Sequence, residues 1–124
     1  MREKGLEEMD SYKELIVWQK SMKMDKEIYG LTSRFPDEEK FGLISQMRRA
    51  AVSVPSNIAE GWGRSTTGSY IQFLRISRGS LYELETQLEL SKNLGYVNES
   101  GKVEGLFTEI GKMLNVLMKK LEKA

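Results

Sequence analysis

Hydrophobic side chains recur along the chain at spacings of three and four residues, which is the period of an amphipathic α-helix. This pattern predicts helices over residues 14–33, 41–62 and 67–94, and a fourth helix that starts near Asn98 or Ser100. No segment shows the convincing alternation of a half-buried strand. The third helix is the most regular, and its inward positions are Tyr70, Leu74, Ser77, Leu81, Leu84, Leu88 and Ser91. Their alternating spacing is the seam pattern of packed antiparallel helices.

The other three helices also present apolar stripes. The first helix carries two neighbouring stripes, so we expect it to be covered on more than one side. These stripes are Leu15, Trp18, Met22, Tyr29 and Thr32, and Val17, Met24, Ile28, Leu31 and Phe35. The inward positions of the second and fourth helices are Leu43, Met47, Ala50, Val54 and Ile58, and Val103, Leu106, Ile110, Met113, Leu117 and Leu121. Because the connections are short, the pattern predicts an all-α, antiparallel up-down-up-down four-helix bundle.

The two prolines are expected to shape the first two helices. Pro36 ends the first helix, because the residue before a proline avoids the helical conformation, and Asp37 is placed to cap the second helix. Pro55 lies inside the second helix, where it removes one backbone hydrogen bond and crowds the carbonyl of Ala51. We expect a kink near Pro55 and not a break, because the inward positions keep their phase on both sides of it.

Glycines and small polar residues predict the ends of the second and third helices. Gly61 and Gly63 should end the second helix, and Ser65 or Thr67 should cap the third. Gly95 follows the last apolar position of the third helix and should stop it.

Length and hydropathy indicate one soluble globular domain. The 124 residues have a mean hydropathy of -0.46, with 40% hydrophobic and 30% charged residues. We expect a flexible N-terminal segment over residues 1–11 and the bundle over residues 12–124. The longest uncharged stretches have ten residues, which is too short to cross a bilayer, and the charged N-terminus does not indicate export. A cytoplasmic location is therefore expected.

The chain contains no cysteine and no histidine. Their absence excludes thiol nucleophiles, disulfides, Cys/His zinc sites and Ser-His-Asp triads. The spacing of the carboxylates, lysines, tyrosines and hydroxyl groups assembles no recognisable catalytic site. We therefore expect no enzymatic activity, no cofactor and no metal.

Gly79 lies within the third helix, where glycine costs up to about 1 kcal/mol relative to alanine. An antiparallel pairing about the turn near Ser65 places Ala50 and Ala51 opposite Ser80 and Gly79. Small residues on both sides favour a close approach of the two backbones, and the alternative is a glycine tolerated on a solvated face.

Charge is unevenly distributed although the net charge is only +1. Residues 40–80 carry a net charge of +5, and residues 81–109 carry a net charge of -4. The basic block holds five of the seven arginines, which are Arg48, Arg49, Arg64, Arg75 and Arg78. It could bind nucleic acid, remain a solvated face, or pair with acidic groups such as Glu83, Glu85 or Glu89 of this or a neighbouring chain. Complementary blocks on one chain favour the pairing.

Asn57 and Glu60 allow two interpretations. They could form a polar site with Tyr70 and Ser80. The structural alternative, which we favour, has Asn57 bonding the carbonyl that Pro55 frees and Glu60 pairing with the arginine four residues later.

Three stretches of the chain resemble a known family. They are LIVWQ at residues 15–19, RAAVSVPSNIAEG at residues 49–61 and GSLYELE at residues 79–85. Together they are similar to the four-helix-bundle proteins related to the product of the intervening sequence in 23S ribosomal RNA genes, over about residues 12–121. The motif positions are Pro55, Asn57, Glu60, Gly61, Gly79 and Ser80.

The resemblance implies an antiparallel four-helix bundle that assembles into a ring, expected to be a pentamer, and it supplies no established biochemical activity. A relative with the same bundle serves diversity-generating retroelements as an accessory protein, and it binds reverse transcriptase and nucleic acid through a strongly basic surface. This chain departs from that pattern, because its net charge is only +1.

Two functions follow as hypotheses. The first is a non-enzymatic homo-oligomeric assembly or scaffold protein, because apolar edges that include Phe73, Ile76 and Leu90 exceed what one bundle seam can bury. The second is a nucleic-acid-binding accessory factor that uses the arginine block. We expect the protein itself as its main partner, nucleic acid as the less favoured one, and no membrane.

Overall fold

The computed structural model describes residues 5–123, and every regular element in that range is helical. The four long helices are α1 (Ile16–Thr32), α2 (Leu43–Trp62), α3 (Thr67–Asn93) and α4 (Gly101–Glu122). Three short 3-10 turns lie before α1 and α2, at Leu6–Glu8, Tyr12–Glu14 and Asp37–Glu39. The predicted all-α four-helix bundle is confirmed, with helix bounds within a few residues of the expected ones.

Each helix packs against two of the others, since α1 and α3 both contact α2 and α4. The Ser91 hydroxyl lies 3.5 Å from the Met47 sulfur near the start of α2, and the Ser77 hydroxyl donates to the Val54 carbonyl at 2.9 Å further along it. These two helices therefore run in opposite directions. The largest fully buried side chains are Met24, Ile28, Met47, Ile58, Leu74, Leu81, Leu84, Leu88, Ile110 and Leu114. They come from all four helices and form a single core.

The start of α2 corrects the prediction for Asp37. Asp37 opens a 3-10 turn, and α2 begins only at Leu43, so Asp37 cannot cap it. Gly42 occupies the N-cap position and has no side chain to offer. Glu39 supplies the acceptor instead, because its Oε1 accepts a hydrogen bond from the Leu43 amide at 3.2 Å. A carboxylate at this end also suits the positive pole of the helix.

The start of α3 corrects a second cap. Thr66 is the N-cap, and its hydroxyl oxygen accepts a hydrogen bond from the Ser69 amide at 3.1 Å. Neither Ser65 nor Thr67 has this role, because the extended backbone that an N-cap needs falls on Thr66.

The end of α3 is the stop that Gly95 predicts. Gly95 has a φ of 80°, in the left-handed region that glycine adopts without a steric cost. The Tyr96 amide donates to the Ser91 carbonyl at 2.9 Å, and the Gly95 amide donates to the Lys92 carbonyl at 3.0 Å. This pair of bonds is the Schellman motif, which satisfies carbonyls at a helix end.

α2 continues through Pro55 as one helix, Leu43–Trp62, so the chain does not break there. Val54 and Ile58 on either side of the proline are fully buried, and Ala51 one turn earlier is buried as well. The inward face therefore stays uninterrupted, which stabilises a helix that lacks one amide donor. The kink itself stays a prediction.

The predicted close contact at Gly79 is wrong for a single chain. Gly79 is exposed, and no atom outside its own helix backbone lies within 4 Å of the position that its β-carbon would occupy. The register differs by a few positions, since Ser80 meets Ser53 and not the alanine three positions earlier. The close approach occurs instead at Gly61, where a β-carbon would lie 2.8 Å from Cδ1 of Tyr70.

The buried side of α4 is broader than its predicted stripe. Met113 is only half-buried, whereas Leu114 is fully buried. Phe107 and Met118 are also buried, so α4 presents two adjacent rows to the other helices. A helix that contacts both α1 and α3 needs this breadth.

The segment before α1 packs in part against the bundle. Leu6 and Met9 are half-buried against the core. Residues 1–4 lie outside the described residues, and the flexibility of residues 1–11 stays a prediction.

Candidate functional site

Arg48 is used inside the chain. Its Nε donates to the Thr32 hydroxyl oxygen at 2.9 Å, its terminal nitrogen donates to the Tyr29 carbonyl at 3.2 Å, and its guanidinium lies 4.5 Å from the centre of the Tyr29 ring. Thr32 and Tyr29 belong to the last turn of α1, where the helix pole is negative. Arg48 therefore fastens the end of α1 to α2 and is already occupied.

Arg64 forms the ion pair that its spacing predicts. A terminal nitrogen of Arg64 lies 3.2 Å from Oε1 of Glu60, one turn earlier. The guanidinium also lies 4.5 Å from the centre of the Phe73 ring on α3. Both charged groups are exposed, so the ion pair contributes little stability, but it positions Arg64 at the α2–α3 connection.

The other three arginines of the block lie on the outer surface. Arg75 reaches Glu122 of α4 at 3.8 Å, and Arg78 donates to the neutral Asn115 side-chain oxygen at 2.9 Å. Arg49 is exposed and has no side-chain hydrogen bond or ion pair with any residue in the described range. Arg49 and Arg78 therefore keep an uncompensated positive charge.

The acidic groups expected to pair with this block lie elsewhere in the single chain. Glu89 pairs with Lys92 at 3.6 Å, and Glu83 accepts a long hydrogen bond from Gln87 at 3.5 Å. Glu85 is half-buried, and burial raises the pKa of its carboxyl. None of these three carboxylates pairs with an arginine within residues 5–123, so pairing with the block across a subunit boundary stays a prediction.

Ser53, Asn57 and Ser80 form a hydrogen-bonded network between α2 and α3. The two serine hydroxyls lie 2.7 Å apart, and Nδ2 of Asn57 donates to the Ser53 hydroxyl at 2.9 Å and to the Ser53 carbonyl at 2.8 Å. The expected acceptor, the Ala51 carbonyl freed by Pro55, is wrong, because residues 51 and 57 lie on different faces of the helix. Asn57 is nonetheless part of a structural bridge.

The polar site that would combine Asn57, Glu60, Tyr70 and Ser80 is not assembled. The structure brings Asn57 and Ser80 together, whereas Glu60 is exposed. The Tyr70 hydroxyl is buried without a hydrogen-bond partner in the described range, and burial raises the pKa of Tyr70 to about 12. Its ring packs against Gly61.

A groove of about 540 Å³ opens between α1, α2 and the 3-10 turn before α1. Tyr12, Trp18 and Tyr29 line it, and the Tyr12 and Trp18 rings meet edge to face with their centres 5.4 Å apart. Val52 lines the α2 side. The first predicted stripe of α1 therefore borders this groove, and Met22 and Tyr29 within it are exposed.

Asp25 lines the same groove, although it is only 8% exposed. Its Oδ1 atom is buried and has no hydrogen-bond partner among residues 5–123. Burial raises the pKa of its carboxyl from the ordinary 3.8 to about 8. Asp25 is not among the residues predicted from the sequence, yet a signal exists, because Asp25 occupies the position that the first apolar stripe skips between Met22 and Tyr29.

The outward side of α3 carries several large apolar side chains among polar residues such as Glu83 and Thr86. Ile76, Tyr82, Leu90 and Leu94 are between 44% and 51% exposed and fall on one side of the helix. Gly79 lies in the same row and has open space above it. We call these five residues the α3 face. Phe73, expected at this edge, is half-buried beneath Arg64.

Residues 13–116 match the family described as 23S rRNA-intervening sequence protein. The chain belongs to the 23S rRNA-intervening sequence protein family. The match covers α1, α2, α3 and most of α4, so it includes the arginine block, the Ser53–Asn57–Ser80 network and the groove. The resemblance drawn from the three sequence stretches is confirmed.

A solved structure supports the same family fold. It is the 1.70 Å crystal structure of a protein with unknown function from the S23 ribosomal protein family, from Bacteroides thetaiotaomicron VPI-5482. The TM-score is 0.77 at 27% sequence identity, over 84% of this chain and 99% of that chain. Neither the family description nor that of the crystal structure names an enzymatic activity. No curated protein matches this chain.

Within residues 5–123 of this member of the 23S rRNA-intervening sequence protein family, no helix is long and apolar enough to cross a membrane. No group of three or more acidic side chains there is arranged to hold a metal ion.

Proposed function

We propose that this protein is a non-enzymatic, homo-oligomeric assembly or scaffold protein whose subunits contact one another through the α3 face. The α3 face carries the proposal, because four large apolar side chains share one side of a helix that no part of the described chain covers. Large apolar side chains gathered on one surface in this way are typical of protein–protein contacts. A second copy is the occupant that we propose, since a closed homo-oligomer covers apolar surface on every subunit.

The position of Gly79 supports the same proposal. Within a single chain, Gly79 lowers the helix propensity of α3, and no neighbouring group packs against it, because open space lies above it. A glycine in the middle of an apolar face allows a second helix to approach closely. The cost to α3 is then offset by contact with a neighbouring subunit.

The contacts of the arginine block disfavour polyanion binding. Arg48 is occupied by the end of α1, and Arg64 and Arg75 have carboxylate partners within the chain. The net charge of +1 supplies no long-range field that would attract nucleic acid. Arg48, Arg64 and Arg75 therefore already have partners within their own subunit.

Light scattering on the full chain tests the proposal. We expect a mass several times 14.2 kDa at micromolar concentrations. A double substitution of the α3 face, Ile76→Glu with Leu90→Glu, should lower that mass while the helical circular dichroism persists. Ile16→Glu is the matched control, because Ile16 is an exposed apolar residue in the first turn of α1, where an acid is tolerated. A wild-type mass near 14.2 kDa, or an unchanged mass in the double variant, would contradict the proposal.

A nucleic-acid-binding accessory factor is the second candidate, and the uncompensated charges of Arg49 and Arg78 are the observation in its favour. Fluorescence anisotropy with labelled RNA and DNA at about 0.15 M salt separates the two functions. The first candidate predicts no submicromolar binding. Submicromolar binding that Arg49→Gln with Arg78→Gln abolishes, while the oligomer persists, would favour the second.

A further inference from the structure

The Asp25 carboxylate lacks what a buried carboxylate needs. Oδ1 has no hydrogen-bond donor among residues 5–123, and a buried charge without a partner is strongly unfavourable. Lys26, which also lines the groove, is exposed and makes no ion pair with Asp25. Arg48 is held by Thr32 and Tyr29. A cation that carries N–H donors and enters the groove from outside would balance the charge and hydrogen-bond the carboxylate where Asp25 borders the groove.

The walls of the groove suit the same chemistry. Tyr12, Trp18 and Tyr29 present aromatic rings, which attract cations and also pack against apolar groups. Met22 and Val52 add exposed apolar surface at the mouth. An anionic ligand is disfavoured by Asp25, and a purely apolar ligand would leave the Asp25 carboxylate without a donor.

We infer that the groove between α1 and α2 is a binding site for a small organic cation, a primary ammonium attached to an aromatic or apolar body. The ammonium bonds the Asp25 carboxylate, and the apolar body lies between the Trp18 and Tyr29 rings on one side and Val52 on the other. This site is separate from the α3 face, and the inference does not depend on the oligomeric state.

The probe is phenethylammonium, with phenethyl alcohol as its neutral isostere. Trp18 fluorescence reports binding in a Trp62→Phe background, because Trp18 is then the only tryptophan in the chain. Titrations are run on the full chain at pH 8 in a buffer that contains no amine. We expect the ammonium to bind at least about tenfold more tightly than the alcohol, as one charge-assisted hydrogen bond implies. In Asp25→Asn, the two affinities should differ by less than about twofold, and Asp10→Asn, at an exposed carboxylate, is the control.

A second variant protects the test against a misfolded Asp25→Asn. Val52→Lys places a competing ammonium at the mouth of the groove, on an exposed position that tolerates a long side chain. We expect it to weaken phenethylammonium binding, whereas Val116→Lys, at an exposed apolar residue of α4, should leave binding unchanged.

Three results would overturn the inference. The first is equal affinity of the wild type for the ammonium and the alcohol. The second is an ammonium preference that survives Asp25→Asn. The third is no Trp18 response to phenethylammonium. If Asp25→Asn then also changes the oligomer mass, the groove belongs to the contact with a second copy of the chain. A monomeric wild type that binds phenethylammonium through Asp25 would contradict the proposed assembly and leave this inference intact.

Discussion

Gly61 of α2 lies so close to Tyr70 of α3 that a β-carbon on Gly61 would stand 2.8 Å from the Tyr70 ring and 3.2 Å from the Tyr70 carbonyl oxygen. The ring has little room to move, because Tyr70 is buried, and the carbonyl belongs to the backbone of α3. This glycine therefore sets the separation of α2 and α3 near their connection.

Gly61→Ala should destabilise the protein by about 1–3 kcal/mol, because the added methyl group overpacks the α2–α3 contact. Gly105→Ala is the matched control, since Gly105 also lies within a helix but has open space above it. That variant should gain about 0.5–1 kcal/mol from helix propensity. Denaturant unfolding of both variants measures the difference. A gain of stability in Gly61→Ala, like that expected for Gly105→Ala, would show that the approach at Gly61 is looser than described.

Removing the Tyr70 hydroxyl should stabilise the protein. The hydroxyl is buried without a partner among residues 5–123, and such a group costs about 1 kcal/mol or more. Tyr70→Phe keeps the ring that packs on Gly61 and removes only the unpaired group. Tyr96→Phe should lower stability instead, because the Tyr96 hydroxyl donates to Glu39 at 3.0 Å. Thermal unfolding of the two variants tests the pair, and a loss of stability in Tyr70→Phe would reveal a partner for its hydroxyl.

Adjacent arginines should respond differently to truncation. Arg48→Ala removes two hydrogen bonds from the end of α1 and should cost about 1–2 kcal/mol. Arg49→Ala removes an exposed side chain with no partner in the described range and should change stability by less than about 0.5 kcal/mol. Denaturant unfolding distinguishes the two. Similar losses in both variants would mean that Arg49 has a partner in the assembly.

Stability should fall as pH rises through the range in which only unfolded Asp25 is ionised. Burial raises the pKa of the Asp25 carboxyl from 3.8 to about 8, so the folded state keeps a proton that the unfolded state has lost. The stability that this group contributes is complete below pH 3.8 and is lost up to about pH 8, at about 1 kcal/mol per pH unit. The titratable side chains beside Asp25 in the groove are Tyr12, Lys26 and Tyr29, and α2 adds none.

Asp25→Asn should remove this slope. The amide resembles the protonated carboxyl and does not titrate, so the variant should be about as stable as the wild type near pH 4 and increasingly more stable than it as the pH rises to 8. Urea unfolding in amine-free buffers measures both proteins. Glu27, Glu104 and Glu109 do not affect the comparison, because the pKa of each carboxyl is lowered and its effect falls in more acidic solution. Hydrogen bonds from Lys102 and Lys20 lower the pKa of Glu27 and Glu109, and hydrogen bonds from Ser100 and Lys92 lower the pKa of Glu104. A wild type that is more stable than the variant at pH 8 would show a charged, paired Asp25.

The four helices could be predicted because burial repeats along the sequence with the helical period, and each apolar stripe samples many positions. Helix caps depend on a single side chain, so the period does not specify them. Asp37 and Glu39 are both acidic, and only the path of the turn determines that Glu39 reaches the Leu43 amide. Likewise, three hydroxyl residues precede or open α3, and the backbone conformation selects Thr66.

The register of α2 against α3 was predicted only to within a few residues. Because of that error, Gly79 and not Gly61 was predicted to pack against the other helix. Gly61 and Gly79 both lie in helices, and sequence alone does not show which one faces a neighbour. The candidate site depends on the same kind of information. The arginine block is visible from charge, but the partner of Arg48 is a carbonyl and a hydroxyl at the end of another helix. Asp25 could have been found from the gap in its stripe, although its lack of a donor could not.

The serine bonds between α2 and α3 imply an order in which the molecule opens. Ser77 donates to the Val54 carbonyl, and Ser53 meets Ser80, both across a contact that begins at a short connection. α1 and α4 are joined to each other by surface ion pairs, which include Lys20 with Glu109. Amide hydrogens at the centres of α2 and α3 should therefore exchange with solvent only on global unfolding, whereas those of α1 and α4 should also exchange through partial unfolding of lower free energy.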